Sequence, residues 1–167
     1  MADANALGAL GDGPVEDFRG RAVGKLTQEV MLYGPEVLEA DLIGSDAHGV
    51  FRLPTYVREL KRGAINPKAA IKVVERGPAT ALIDGDRGMG MVIGHRAMEL
   101  AIAKAKQSGI GMVGVRNSRH YGMSAYYAMQ ALEHDMVGIA MTNASRQVVP
   151  TFGREARFGT NPMCFAV

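Results

Sequence analysis

The sequence has almost no cysteine and no tryptophan. Among its 167 residues Cys164 stands alone, which excludes an intrachain disulfide and a cysteine-based metal cluster within one chain. We predict no metal site. Because Cys164 lies in the apolar run NPMCFAV, we interpret it as a buried, unreactive thiol. The scarcity of cysteine fits a reducing compartment.

The sequence also lacks an excess of charge of one sign and a long hydrophobic run. Its 19 basic and 17 acidic residues give a net charge of +2, and without a basic stripe a nucleic-acid partner has little support. No window approaches the roughly 20 apolar residues that a membrane span needs. The acidic N-terminal stretch does not match a signal peptide. We therefore expect a cytoplasmic protein with neither a membrane nor a nucleic-acid partner.

What is present is the composition of a folded domain, with 47% hydrophobic and 22% charged residues. Residues 1–13 are rich in alanine, glycine and aspartate, which predicts a disordered start. Residues 14–66 contain three segments with helical spacing, the last of which runs from His48 to a cap at Gly63. We expect this helical segment to carry the substrate-site residues.

From residue 67 the pattern changes to short apolar segments that alternate with helices. The predicted strands are AAIKVVERG, TALIDGD, IGMVGVRN and MVGIAMTN, and the predicted helices are VIGHRAMELAIAKAKQSG and MSAYYAMQALEHD. This order predicts an α/β layer, and we expect residues 67–167 to be the cofactor-binding part. The final stretch RFGTNPMCFAV is apolar where it stops, so we expect either the first part of a longer polypeptide or a chain that a partner completes.

The glycine-rich stretch DGDRGMGMVIGHRAM allows two interpretations. Gly88, Gly90 and Gly94 follow a predicted strand and open a helix, which is the context of a dinucleotide-binding fingerprint. Their spacing departs from that fingerprint, and no acidic residue ends the next strand, so we favour a turn with close helix packing. The alternative, a Rossmann site, predicts that Gly90→Ala abolishes cofactor binding while the His120 segment tolerates change.

Two polar loops follow predicted strands, where α/β proteins bind ligands. In VRNSRHYGMSAYY, residues from His120 to the helix start at Ser124 offer donors to a phosphate, although a solvated turn fits equally. The second loop lies between apolar strands, and its polarity favours a functional loop. Its candidate hydrogen-bonding side chains are Asn143, Ser145, Thr160 and Asn161.

The stretch SDAHGVFRLPTY places His48, Arg52 and Tyr56 four residues apart, so that on one continuous helix they would share a face. A histidine exchanges protons near neutral pH, and an arginine grips a carboxylate. Together they describe a pocket for a small carboxylate with a neighbouring group that gains or loses a proton. Spacing alone favours a solvated polar face, and Pro54 either lies in a first helical turn or kinks the helix.

In their order along the chain, SDAHGVFRLPTY, DGDRGMG, VRNSRHYGMSAYY and FGTNPMCFAV resemble the malate/L-lactate dehydrogenase family of the non-Rossmann type. This family includes ureidoglycolate and sulfolactate dehydrogenases and cyclic-imine carboxylate reductases. The resemblance implies an α/β fold with a non-Rossmann mixed sheet flanked by helices after an N-terminal helical segment. It also implies a homodimer that uses NAD or NADP to transfer hydride at C2 of a small 2-hydroxy or 2-oxo acid, or of a related imine.

Carried over by position, the resemblance implies two catalytic residues, His48 as the acid/base group and His120 near the reacting carbon. Arg52 would clamp the substrate carboxylate, with Tyr56 and Thr160 as further substrate contacts. The implied cofactor contacts are His120, Tyr121, Gly122, Met123, Ser124 and Asn143.

Two features depart from the family pattern. Ala47 stands where members usually carry a serine before the motif histidine. Family chains are also considerably longer, with a further cofactor motif and an acidic partner for the histidine in their second half, so we do not expect these 167 residues alone to turn over substrate. An alternative of another class is a truncated, non-catalytic α/β subunit that binds a partner chain through its end near Phe165–Val167.

Overall fold

The computed structural model describes residues 35–167. The predicted disordered start, residues 1–13, and the helix predicted for residues 14–34 lie outside the described residues. The described part contains a helical segment followed by an α/β part.

The helical segment contains two α-helices separated by two 3-10 turns. Its elements are α1 (Pro35–Leu42), the turns Asp46–His48 and Val50–Arg52, and α2 (Leu53–Lys61). The single helix predicted from His48 to Gly63 is therefore wrong in its first part. Only Tyr56 of the spaced triplet lies within α2, while His48 and Arg52 end the two turns.

The interruption has a local cause at Gly49. This residue separates the two turns with an extended backbone, at φ −83 and ψ −151. The Asp41 carboxylate accepts the N–H of Val50 at 3.0 Å, and a Cβ on Gly49 would lie 1.6 Å from that carboxylate. Pro54 lies in the first turn of α2, where its missing N–H costs no helical hydrogen bond; of the two outcomes considered for it, the structure shows this one.

A mixed three-stranded sheet forms the first layer of the α/β part. Its strands are β1 (Lys72–Gly77), β2 (Thr80–Asp84) and β3 (Met112–Arg116). Strands β1 and β2 pair antiparallel, with Val74 opposite Leu82, and β2 pairs parallel to β3, with Leu82 opposite Gly114. A mixed sheet with helices, preceded by a helical segment, is the fold class that the resemblance implied, and the structure confirms it.

Helix α3 (Gly90–Ser108) connects the parallel strands β2 and β3. Gly109 caps it in the left-handed conformation at φ 77, which the sequence predicted. Ile93 and Ala97 of α3 pack with Ile83 of β2 in a buried cluster. This packing fixes the N-terminal end of α3 beside the loop that leaves β3.

Helix α4 and a two-stranded sheet form the rest of the α/β part. Helix α4 spans Ser124–Gln130, shorter than predicted because a 3-10 turn, Leu132–His134, follows it, and the antiparallel strands are β4 (Gly138–Met141) and β5 (Met163–Ala166). Half-buried Cys164 packs against the α4 core. Among residues 35–167, no helix is both long and apolar enough to cross a membrane.

The two sides of the β4–β5 sheet differ in side-chain size. Small residues, including Gly138, Ala140 and Ala166, are buried toward α4. Large apolar side chains on the other side are exposed and lie opposite one another across the strands; we call them the β4–β5 apolar face, which consists of Ile139, Met141, Met163 and Phe165.

A buried cluster joins the helical segment to the α/β part. Val37, Tyr56 and Ile65 pack against the start of α3, at Met89, Met91 and Val92. Burial of such side chains stabilises the junction by about 1.5–3 kcal/mol each. The junction also brings α1 and α2 against the loop that carries His120.

Candidate active site

Four predicted site residues meet at this junction. The rings of His48 and His120 are nearly parallel, at 11°, with centroids 5.9 Å apart. The Tyr56 hydroxyl lies 2.8 Å from Nδ1 of His120, and the charge of Arg52 acts on the pKa values of both histidines. We call these four residues the His48–His120 cluster.

His48 is held by the residue three positions before it. Its backbone N–H donates to the Ser45 carbonyl at 2.8 Å, and its ring Nδ1 lies 3.2 Å from the Ser45 hydroxyl. Partial burial, with the nearby Arg52 charge, lowers the pKa of His48 below its usual 6.5. The ring is therefore mainly neutral near pH 7 and able to accept a proton.

Arg52 is anchored through one edge of its guanidinium group. Its Nε donates to the Ala47 carbonyl at 2.7 Å. Between residues 35 and 167, no hydrogen bond or ion pair engages its two terminal amino groups. A guanidinium fixed in this way presents its remaining donors as a clamp for a carboxylate beside the two histidines.

The hydrogen bonds of His120 assign its tautomer. The N–H of Gly122 donates to Nδ1 at 3.3 Å, and a backbone N–H can only donate, so Nδ1 is an acceptor. The Tyr56 hydroxyl therefore donates to the same nitrogen, and the proton of the neutral ring lies on Nε2. Although the residue as a whole is exposed, desolvation of the ring, with the charges of Arg52 and His48, lowers the pKa of His120 to about 4.

The two histidines predicted as catalytic therefore differ in what they can do. With a pKa of about 4, His120 stays neutral near pH 7, and its Nε2–H can donate a hydrogen bond without exchanging its proton. His48 is the better candidate for proton exchange. Tyr56 is buried. Its burial and the nearby Glu36 raise the pKa of its hydroxyl well above 10. The hydroxyl therefore keeps its proton near pH 7 and donates it in the hydrogen bond to His120.

The sequence interpretation missed Glu36, in the first turn of α1. This residue is fully buried, and its Oε1 accepts the N–H of Met123 at 2.8 Å. Its Oε2 is buried without a hydrogen-bond partner among the described residues. Burial, opposed by the Met123 bond, raises the pKa of Glu36 to about 7. An acidic residue in a first helical turn is ordinary, so the sequence contained no signal of this contact.

Gly122 is the residue that makes room for Glu36. Its backbone is left-handed at φ +76, and a Cβ there would lie 1.6 Å from Oε1 of Glu36. The same loop is fixed further along, where the Tyr121 and Ser124 hydroxyls lie 2.6 Å apart and the Tyr121 ring stacks on Tyr127 at 4.9 Å. Most polar groups predicted to contact the cofactor in residues 121–124 therefore already have partners within the protein.

Asn143 and Thr160 lie in the long loop between β4 and β5. Their neighbour Asn161 closes this loop by accepting the N–H of Ala144 at 2.9 Å. Across residues 35–167, no hydrogen bond joins Asn143 or Thr160 to the His48–His120 cluster. Their predicted roles remain predictions.

The glycine-rich stretch packs against the loop of residues 117–124, which we call the His120 loop. A Cβ on Gly90 would lie 2.0 Å from the carbonyl oxygen of Arg119 and 2.4 Å from that of His120. This close approach is the packing that we favoured from the sequence. It also means that Gly90→Ala would displace His120, so that variant does not separate a Rossmann site from the His120 segment.

The part of the chain that the structure describes contains no group of three or more histidine, cysteine or acidic side chains arranged to hold a metal ion. Besides the Tyr56 hydroxyl, which donates to His120, the His48–His120 cluster consists of a guanidinium and two imidazoles. This set fits a small carboxylate that carries an adjacent oxygen.

Comparisons with known proteins identify relatives over most of the chain. The family described as malate/L-lactate dehydrogenase matches residues 29–167. The L-sulfolactate dehydrogenase of Methanocaldococcus jannaschii is 47% identical over 142 residues, which cover 85% of this chain and 40% of that protein. The malate dehydrogenase of Pyrococcus abyssi is 46% identical over 144 residues, 86% of this chain and 40% of that protein.

Solved structures show the same relationship. The sulfolactate dehydrogenase from Methanocaldococcus jannaschii superposes with a TM-score of 0.80 at 44% identity, over 86% of this chain and 43% of that one. The malate dehydrogenase from Pyrococcus horikoshii OT3 superposes with a TM-score of 0.80 at 46% identity, over 87% of this chain and 42% of that one. The chain spans about two fifths of the length of these relatives. Family match and shared fold together show that it belongs to the malate/L-lactate dehydrogenase family.

Proposed function

We propose that the complete natural protein is an NAD(P)-dependent oxidoreductase that transfers hydride between nicotinamide and C2 of a small 2-hydroxy or 2-oxo acid. The observation that carries this proposal is the Arg52 clamp beside two histidines with parallel rings 5.9 Å apart. Relatives named sulfolactate, malate and hydroxycarboxylate dehydrogenases support the same class of reaction.

In this proposal each cluster residue acts on a different part of the substrate. Arg52 binds the carboxylate, which fixes the position of C2 and its oxygen. His48 accepts the hydroxyl proton when a hydroxy acid is oxidised and returns it when the oxo acid is reduced. His120 donates its Nε2–H to the same oxygen and remains neutral. A bound nicotinamide supplies the acceptor or donor of the hydride.

The remaining expectations belong to the same proposal. The loop of residues 120–124, with Asn143, would hold the cofactor, which is NAD or NADP. The partner is a second copy of the protein or a chain that supplies the rest of the family fold, and the compartment is the cytoplasm. What supports a partner is the β4–β5 apolar face, because exposed apolar patches of this kind mark interaction surfaces.

The test is reduction of a panel of 2-oxo acids by the complete natural protein, followed through the absorbance of NADH or NADPH. Arg52→Ala should raise KM for the acid by at least about 100-fold, because the charge-assisted clamp is lost. Arg52→Lys should recover part of this loss, because it keeps the charge without the fork.

Arg58→Ala is the matched control. Arg58 is an exposed arginine of α2 whose side chain, within the part of the chain that the structure describes, hydrogen-bonds Thr55 at 3.4 Å, so its removal should leave KM unchanged. Absence of turnover with every acid, or an unchanged KM in Arg52→Ala, would contradict the proposed function.

A second candidate function is a non-catalytic subunit that binds a partner chain. The β4–β5 apolar face favours it, because four large apolar side chains are exposed together on one side of the β4–β5 sheet. Size-exclusion chromatography with and without NADH separates the two functions. NADH fluorescence that elutes with a stable assembly supports the enzyme, whereas an assembly that binds no NADH supports the subunit.

A further inference from the structure

Ser45 provides a hydroxyl beside His48, in a chain that lacks the serine of the family pattern at position 47. Members usually carry serine directly before the motif histidine, and this chain has Ala47 there. Ala47 is exposed and ends at Cβ, so it offers no side-chain hydrogen bond. The structure places the Ser45 hydroxyl 3.2 Å from Nδ1 of His48.

The backbone holds Ser45 in this position. Its N–H donates to the Ala40 carbonyl at 2.7 Å, and its carbonyl accepts the N–H of His48 at 2.8 Å. Gly44, left-handed at φ +79, turns the chain between α1 and Ser45. In a 3-10 turn, side chains three residues apart lie over one another. The Ser45–His48 contact therefore follows from the local geometry.

We propose that Ser45 is the positioning residue of His48 and takes over the role of the hydroxyl missing at Ala47. This inference rests on the proposed function. Among the described residues, Ser45 is also the side chain that hydrogen-bonds the His48 ring. Arg52, the charged neighbour, uses its Nε on the Ala47 carbonyl instead.

The chemistry of a hydroxyl suits this role. For Nε2 to accept the substrate proton, neutral His48 must carry its own proton on Nδ1, and this Nδ1–H donates to the Ser45 oxygen both before and after Nε2 is protonated. Nδ1 keeps a partner in both states, and Nε2 stays directed to the substrate throughout the proton transfer. An alanine at position 45 removes this partner in both states.

The kinetic test uses the complete natural protein with the 2-oxo acid that it reduces best. Ser45→Ala should lower kcat about tenfold, as expected for the loss of one orienting hydrogen bond. KM for the acid should change by less than about twofold, because Arg52 is anchored independently of Ser45. Ser45→Thr keeps the hydroxyl and should retain most of kcat.

Two further variants sharpen the test. In the Ser45→Ala background, Ala47→Ser should restore part of kcat, because it returns a hydroxyl to the position that the family usually uses. Ser108→Ala is the matched control, since Ser108 ends α3 at the opposite end of a 19-residue helix from the His120 loop; it should leave kcat unchanged.

A readout that does not need turnover completes the experiment. The ring nitrogens of the four histidines can be observed by nitrogen-15 NMR, which reports tautomer and hydrogen bonding. Ser45→Ala should move the His48 signals and leave those of His134 in place. Unchanged His48 signals in Ser45→Ala, or an unchanged kcat in an active protein, would overturn the inference about Ser45. If the parent protein is inactive but Ser45→Ala still shifts the His48 signals, only the proposed function is overturned.

Discussion

The chain holds its two site histidines in opposite ways. His48 is positioned from within its own turn, by Ser45 three residues away. His120 is positioned by a residue far away in the sequence, Tyr56, at a separation of 64 residues. The loop that carries His120 is fixed by Glu36, which accepts the N–H of Met123 across 87 residues. We call the two regions the His48 turn, residues 45–52, and the His120 loop, residues 117–124.

This difference sets the chemistry that each histidine can perform. The His48 ring is half-buried, and its lowered pKa leaves it a neutral group that can still take up a proton. Desolvation and the charges of Arg52 and His48 lower the pKa of His120, and two donors occupy Nδ1, the nitrogen that would have to take up a proton. A pKa of about 4 then keeps it neutral. The histidine held by local contacts can exchange a proton near neutral pH, whereas the one held by tertiary contacts stays neutral there.

The largest effect that separates the two regions is expected on kcat. His48→Ala removes the proton-transfer group and should lower kcat by about 10²–10⁴-fold. His120→Ala removes one hydrogen-bond donor and should lower it by only about tenfold. Steady-state kinetics of the complete protein measure both, with the exposed His134→Ala as control. Equal losses of kcat in His48→Ala and His120→Ala would contradict the different roles assigned to the two histidines.

The next effect concerns stability at two matched glycines. Gly44, beside the His48 turn, and Gly122, in the His120 loop, both have positive φ, at +79 and +76, but a Cβ meets nothing within 4 Å at Gly44. Gly44→Ala should therefore cost about 1–2 kcal/mol of backbone strain alone.

Gly122→Ala should cost more, by about 1–3 kcal/mol, because the Glu36 carboxylate must also move. Urea unfolding of both variants measures the difference. Equal unfolding free energies would show that the contact between Glu36 and the His120 loop does not stabilise the fold.

A comparable effect, which depends on pH, is expected on stability at Glu36. The folded-state pKa of Glu36, about 7, is raised above its ordinary 4.5. The contribution of the Glu36 carboxyl group to the stability of the fold is therefore fully present below pH 4.5 and is lost as the pH rises through 7. Glu36→Gln stays neutral and keeps an acceptor for the Met123 N–H.

Above pH 7 the Glu36→Gln variant should be more stable than the parent, on the order of 1–3 kcal/mol. At pH 4 the two should converge. Thermal unfolding across this range provides the measurement, and Glu133→Gln, at an exposed position, is the control. A constant difference at all pH values would contradict burial as the cause of the shift.

The smallest effect is expected at Tyr56. Tyr56→Phe removes the hydroxyl that donates to Nδ1 of His120 and favours the neutral ring, so the pKa of His120 should rise toward 6.5 by about half a unit to one unit. NMR titration measures this change, and Tyr126→Phe, which leaves the contact intact, is the control. A His120 pKa unchanged in Tyr56→Phe would mean that the hydroxyl does not support the ring.

Much of this arrangement could be predicted from the sequence. Alternating apolar segments and caps such as Gly109 depend on local chemistry, and they indicated the strands and the long α3 helix correctly. The order of four motifs predicted the family. It also suggested that His48, Arg52, Tyr56 and His120 form one site, although nothing in their spacing requires the first three to meet the fourth.

The parts that could not be predicted depend on contacts between distant residues. The helix predicted from His48 breaks because Gly49 packs against Asp41, which bonds the Val50 N–H. Glu36 looks like a surface residue until its burial is seen. The neutrality of His120 likewise depends on desolvation and on the charges of Arg52 and His48, which have no signature in the motif VRNSRHYGMSAYY.

The β4–β5 apolar face has a consequence for the interpretation of mutational surveys. In this chain Ile139 and Phe165 are exposed, so a screen for folding of residues 1–167 would accept polar residues there as readily as at any surface position. The buried partners of those strands, Ala140 and Ala166, would reject larger residues. A screen run on an assembly that covers the face would reject polar residues at Ile139 and Phe165, and it would still reject larger residues at Ala140 and Ala166. Tolerance of polar residues at Ile139 and Phe165 therefore reports the state of assembly of the protein.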